Sequence, residues 1–247
     1  MKKYHWVKKK RLFFRFIAFW VRRFYRRSEF IGLENIPNEP CVFLGNHSQM
    51  HTPVMAECYF PVNKLTWCDA PMFDKKEMKA YAYRVFWGDN PTWFQRFLAK
   101  ILCPLVAYIM NNADALPVYR DMRVVKTYKL SVDELEKGNS IVILPECPDE
   151  HNEIINKLNE YFVDVARFYF KRTAKELYFT PFYYSPKLKK TVIGKPIKFD
   201  ATVDIEQERK RICDYTINEI TSIAKTLPSH VVIPFNTVPK QQYKKSK

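Results

Sequence analysis

Glycine is scarce in this chain: five in 247 residues. Neither a GxGxxG turn nor a GxxxxGK[ST] loop occurs, which argues against glycine-rich phosphate cradles. No two of the six cysteines are spaced as CxxC. A chain this long can bury a core without staples, so the cysteines read as reduced thiols of a cytosolic protein, and no zinc site is expected. Long apolar runs are missing too. The uncharged stretch Phe16 to Val21 has six residues, and the apolar stretch Ile101 to Met110 has ten, interrupted by Pro104. A bilayer span needs about 20. No small-residue cleavage site follows the first stretch, so it does not read as a signal peptide. Acidic residues are absent from the first 27 positions, which hold eleven Lys and Arg. The net charge is +15, so the other 220 residues carry only +4. A basic arm of this kind suggests an anionic partner, nucleic acid or membrane surface.

Aromatic residues are abundant, at 16%. Residues 11 to 27, RLFFRFIAFWVRRFYRR, combine them with the basic charge. Wound at about 100° per residue, Phe13, Phe16, Ile17, Trp20 and Phe24 fall on one side, and Arg11, Arg15, Arg22 and Arg26 on the other. That segregation fits a helix in a membrane interface, with arginines on anionic headgroups. Docking on the protein's own core is the plainer alternative. Nucleic-acid binding would place aromatics among the basic residues on one exposed face, and it is not expected. A second apolar stretch, residues 94 to 110, suits a buried or interfacial helix. Trp87, Trp93 and Tyr108 nearby suit a headgroup boundary or the core equally.

The body alternates strand and helix signals. Strands are expected at 41–45, 115–118, 140–145 and 177–184, with an extended stretch at 190–199. Helices are expected from Thr52 (as N-cap, with Pro53 at the first position), at 124–137 closed by Gly138, at 153–172 and at 206–227. This predicts an α/β fold: a single mixed sheet flanked by helices, with an N-terminal amphipathic helical arm. The division expected is 1–30 for the arm and 31–247 for the α/β domain.

Three features close predicted strands, where open α/β sheets usually place ligands: Asn46-His47, Tyr119-Arg120 and Glu146-Cys147. They supply a base, a fixed cation and a carboxylate. The plain readings are a histidine in a turn, an arginine paired with Asp121 or another acid, and a solvated strand end. His51 reads as a turn residue ahead of a helix. Cys147 near His47 or His151 would make a thiol hydrolase, a weaker reading. The lysines of SPKLKK, 185–190, read as a solvated loop that can add to a basic membrane-facing surface.

The order GLENIP, apolar strand, NH, then LPVYRD at 116–121, GNSIVILPE at 138–146, YFTPFYY at 178–184 and GKPIKF at 194–199 resembles the glycerophospholipid acyltransferase superfamily, typified by lysophosphatidic acid acyltransferases. The resemblance spans roughly residues 30 to 200. It implies acyl transfer from acyl-CoA or acyl carrier protein, a co-substrate rather than a bound cofactor, to the hydroxyl of a lysophospholipid or glycerol phosphate. It implies His47 as general base, Glu146 as supporting carboxylate, and Asn46 and Arg120 at the substrate; Arg123, Lys126 or Arg120 is expected to stand in there for a third-motif Arg that this chain lacks. It also implies no metal and no covalent acyl-enzyme. The basic aromatic arm is expected to hold the protein on the cytoplasmic face of the cell membrane, peripheral or monotopic, on anionic lipids and without nucleic acid. Two positions depart from the family. Thr52 stands where an Asp orients the His, and Cys147-Pro148-Asp149 stands where Gly-Thr-Arg is usual, so the third-motif Arg is missing. Uncharging such an acid costs about 10⁴ in rate in a serine-protease triad. Glu146 or a backbone carbonyl is therefore expected to orient His47. The alternative is a catalytically inactive lipid-binding member of the same fold.

Overall fold

The computed structural model describes residues 7, 9–25, 27–88, 90–147, 154–235 and 243–246, without the side chains of 86 and 87. Arg26, Asp149, His151 and the Trp87 side chain therefore lie outside the described residues. The chain runs α1 (Leu12–Phe24), β1 (Glu29–Ile31), β2 (Val42–Gly45), α2 (His51–Tyr59), β3 (Lys64–Asp69), α3 (Lys75–Ala82), α4 (Trp93–Asn112), β4 (Ala115–Val118), α5 (Val124–Glu136), β5 (Ser140–Ile143), α6 (Asp164–Thr173), β6 (Tyr178–Ser185), β7 (Lys190–Ile193), β8 (Ile197–Lys198) and α7 (Ile205–Thr226). One eight-stranded mixed sheet has the order β1-β7-β6-β2-β5-β3-β4, with β8 also on β6. The strands from β6 through β4 run parallel; β7 and β8 are antiparallel to β6.

The centre of the sheet is buried on both faces, as parallel strands require. Alternation along β2 separates the two cores. Val42 and Leu44 face one side with Ile141, Phe179 and the apolar stripes of α5, α6 and α7. Cys41 and Phe43 face the other with Val142, Phe182 and Met55 of α2. A one-residue slip would exchange these sets. Gly45 ends β2 because the Phe182 ring lies against it; a Cβ there would sit 2.2 Å from that ring. Gly138 follows α5 at φ +88°, the left-handed turn a helix end favours.

Several elements differ from the sequence expectation. Residues 154–159 are not helical. Their apolar spacing is helix-like, but the backbone is spent on β5's extension: Cys147 N–H donates to the Lys157 carbonyl at 2.9 Å and Asn159 N–H to the Pro145 carbonyl at 2.8 Å. Only 164–173 forms an α-helix, after a 3₁₀ turn at 160–163 that Asn159 caps. Thr52 is not a cap; α2 begins at His51 with Met50 before it and no side-chain cap. The stretch 190–199 is two strands pairing with opposite ends of β6. β1, β3 and α3 carried no clear signal. β3 opens on Lys64, a charge that is fully buried because its ammonium meets Glu57 at 3.1 Å.

The arm is both docked and exposed. Phe14 and Ala18 of α1 pack on Ala113 and Ala115 beside Tyr108. Lys10, ahead of the helix, reaches Asp114 at 2.5 Å and Glu57 at 3.7 Å, so two lysines and two acids share one enclosed cluster. Of the face expected from the spacing, Phe13, Phe16, Trp20 and Phe24 are exposed and Ile17 is half-buried; Phe19 is exposed beside them. α4 is a full 20 residues, begun by a Thr92–Gln95 capping box and continuous through Pro104. At about 30 Å it is longer than its apolar run suggested, and it is long and apolar enough to cross a membrane by length and composition. It also leaves Trp93, Phe94, Phe97, Ile101 and Leu102 exposed. The two helices meet where the Phe13 and Tyr108 rings lie 5.5 Å apart.

Candidate active site

Strand order decides which of the three strand ends can meet. β2 and β5 are neighbours, so His47 and Glu146 come together. The His47 backbone N–H donates to the Glu146 carboxylate. β4 lies at the sheet edge beyond β3, and Arg120 reaches inward only through an intermediary. Its guanidinium donates to Asp69 at the end of β3, at 3.0 and 3.1 Å. Asp69 also accepts from the Tyr81 hydroxyl at 2.9 Å. The partner of Arg120 is thus Asp69 rather than Asp121, and its side chain is 72% exposed.

After β2 the chain turns abruptly. Ser48 and Gln49 both take left-handed backbone, φ 45° and 53°. For residues with a Cβ this costs about 1–2 kcal/mol each, and such outliers persist only where their surroundings impose them. Here the turn folds the Gln49 carbonyl back onto the His47 ring, 2.5 Å from Nδ1. A carbonyl only accepts, so Nδ1 carries the proton and Nε2 carries the lone pair. The imidazole is thereby held in the tautomer a base needs, by a backbone dipole in place of a carboxylate. Thr52, at the position of the expected acid, is fully buried, and its hydroxyl has no hydrogen-bond partner among the described residues.

Burial pushes the His47 pKa down to about 4, opposed by the Gln49 carbonyl and by the charge of Asp69. The ring is neutral at pH 7. Phe235 stands edge-on to it, centroids 4.4 Å apart. Burial pushes Glu146 the other way, up to about 7, with the His47 N–H pulling it back. One member of the pair resists protonation and the other retains it.

The remaining expected residues have other duties. Asn46 is buried and spent: its amide donates to Ser48 Oγ at 2.7 Å and the Tyr184 carbonyl at 3.1 Å, and its carbonyl accepts from Tyr184 N–H at 2.8 Å. It stitches the end of β2 to β6 and braces the turn. Arg123 lies on the surface, paired with Asp121, which it holds down at about 2, and stacked 4.7 Å over Tyr119. His51 ties the arm down: its Nδ1 lies 2.9 Å from the Tyr25 hydroxyl, which also donates to the His51 carbonyl at 3.1 Å. Cys147 is one of six free cysteines.

Sequence reading missed Gln49, Asp69, Phe235 and Tyr243. Gln49 acts through its backbone, which no motif records. Asp69 closes a strand that was not foreseen. Phe235 and Tyr243 lie in two separate described stretches late in the chain that both reach the site, where the Tyr243 hydroxyl accepts from Gln49 Nε2 at 2.9 Å.

Among known proteins, the chain matches no protein-family model, and no curated protein sequence matches it. Among solved structures it is similar to the crystal structure of the 1-acyl-sn-glycerophosphate (LPA) acyltransferase PlsC from Thermotoga maritima, with a TM-score of 0.47 and 12% identity over 85% of this chain and 79% of that one.

Proposed function

We propose that this chain is a membrane-surface O-acyltransferase that moves a fatty acyl group from an acyl thioester to the hydroxyl of a lysophospholipid or glycerol phosphate. The observation that carries the reading is the His47 imidazole at the mouth of a parallel sheet, with Nδ1–H fixed on the Gln49 carbonyl and Nε2 left to accept a proton. The order of residue motifs from 32 to 199 supports the substrate class.

In this reading Nε2 takes the proton of the acceptor hydroxyl as its oxygen attacks the thioester carbonyl. The carbon–sulfur bond breaks, the donor thiolate leaves, and the imidazolium returns the proton to it. No metal and no enzyme nucleophile take part. Asp69 favours the imidazolium as it forms, and Glu146 fixes the backbone on which the ring sits. In this reading Arg120, exposed and paired with Asp69, meets the substrate phosphate. The exposed aromatics of α1 and α4, with Arg11, Arg15 and Arg23 also exposed, suit the cytoplasmic surface of a membrane bearing anionic lipid.

The test is acyl transfer by purified protein in vesicles, from acyl-CoA or acyl carrier protein to a panel of lysophospholipids and glycerol phosphate. His47→Ala should lower turnover by about 10²–10⁴, the range for a positioned general base, and leave vesicle binding unchanged. A second reading, a lipid-binding chain without turnover, is favoured by the uncharged Thr52, whose hydroxyl has no partner among the described residues. It predicts vesicle binding with no transfer for any donor and acceptor pair.

A further inference from the structure

The left-handed turn at Ser48 and Gln49 places the Gln49 carbonyl on His47, so whatever holds the turn sets the ring. Asn46 braces Ser48 from below. The Gln49 side chain is braced from elsewhere, by Tyr243, which is 194 positions later in the chain. Tyr243 is itself fastened. Val231 pairs antiparallel with Lys245, Val232 N–H donates to the Lys244 carbonyl at 2.9 Å, and Ser246 N–H donates to the His230 carbonyl at 2.9 Å. His230 in turn is buried, its Nδ1 donating to the Pro228 carbonyl at 2.8 Å and its Nε2 accepting from the Tyr183 hydroxyl at 2.8 Å. Tyr183 lies on β6 in the main core. The chain of contacts therefore runs from the sheet, through His230 and the returning segment, to the one side chain whose backbone carbonyl orients His47.

We infer that Tyr243 is a positioning residue for His47, acting through Gln49 and touching no reacting atom. The inference rests on the reading of His47 as the base. In Tyr243→Phe the ring loses a hydroxyl and keeps its bulk. Gln49, without that partner, relaxes toward ordinary negative φ, and its carbonyl swings off Nδ1. The imidazole is then free to exchange tautomers, and a ring protonated at Nε2 cannot act as the base.

The test reads the ring directly. Full-length protein labelled with ¹⁵N-histidine is examined by long-range ¹H–¹⁵N NMR at neutral pH. Wild type is expected to show His47 protonated at Nδ1 alone. Tyr243→Phe and Gln49→Ala should each show a mixture of tautomers. Gln49→Gly should keep the wild-type pattern, because glycine adopts positive φ without strain and still offers the carbonyl. A merely structural role would order these differently, with glycine the most disturbed. Where turnover is measurable, Tyr243→Phe should lower kcat about five- to tenfold, the loss of one neutral hydrogen bond, with KM unchanged. A wild-type ring spectrum in Tyr243→Phe overturns the inference, as does a Gln49→Gly ring disturbed as much as Gln49→Ala. If Tyr243→Phe fails to fold, the alanine and glycine pair decides. Absence of turnover in wild type counts against acyl transfer alone, because the ring spectrum is read without substrate.

Discussion

Glu146→Gln isolates the energetic oddity of the site, a carboxyl whose burial raises its pKa from an ordinary 4.5 to about 7. The unfolded chain releases this proton near pH 4.5 and the folded protein retains it until about 7. Between those values the folded state binds more protons, so stability falls as pH rises, and above 7 the cost is complete. At 1.36 kcal/mol per unit, the shift corresponds to about 3 kcal/mol. Glutamine has the same shape, keeps an oxygen for the His47 N–H and does not titrate. Glu146→Gln should therefore leave stability unchanged within about 1 kcal/mol at pH 4.5 and raise it by about 2–3 kcal/mol at pH 8. Urea unfolding followed by tryptophan fluorescence from pH 4.5 to 8.5 measures both. His47, depressed to about 4, contributes the opposite slope between about 4 and 6.5 in both proteins, and subtraction removes it. Equal destabilisation by Glu146→Gln at every pH would refute the reasoning, since it would mean that the ionised carboxylate is welcome where it lies.

Three further outcomes follow from particular contacts. Lys10→Met leaves Asp114 short of its closest cation in an enclosed cluster, and should cost about 3–5 kcal/mol in denaturant unfolding. Ala174→Gly should stabilise by about 0.5–1 kcal/mol, read as a rise in Tm, because Ala174 ends α6 in the left-handed region at φ 56° and its side chain is exposed. Phe16→Ser with Phe24→Ser should weaken vesicle binding by about 10- to 100-fold per residue in co-sedimentation, while urea stability stays within about 0.5 kcal/mol, since both rings are exposed.

The parts of the fold visible in the sequence were those whose burial repeats locally. β4 and α5 start where the pattern predicted, and β2, β5, β6 and α7 lie within one or two residues of it. The segment before α6 misled because Ile155, Leu158 and Phe162 are buried at near-helical spacing while their backbone serves the sheet. β3 hid behind Lys64, whose burial depends on Glu57, a partner on another element. The arm's two-sidedness was half visible: the aromatic stripe was read, but the narrow opposite contact, Phe14 and Ala18, was not. In the site, His47 and Glu146 were legible as strand-end residues; of the two partners expected for the ring, Glu146 meets the His47 backbone instead and a backbone carbonyl meets the ring. That the carbonyl is Gln49's depends on two strained φ values, which no residue type announces. Asp69 between Arg120 and the histidine follows from strand order, and Phe235 and Tyr243 follow from a return of the chain across nearly 200 positions.

The docking of α1 has a consequence for how the protein meets anything on that side. A free amphipathic peptide is a coil in water and winds up as it binds, losing chain entropy in the act. Here the helix is already wound and bolted down by Phe14, Ala18 and the Lys10 cluster, so that loss belongs to folding. A partner landing on the outer face engages a ready-made face of exposed aromatic rings in contact with one another. Circular dichroism should then show no gain of helix on landing, and the same ready face leaves an unlanded copy prone to stick to another copy of itself.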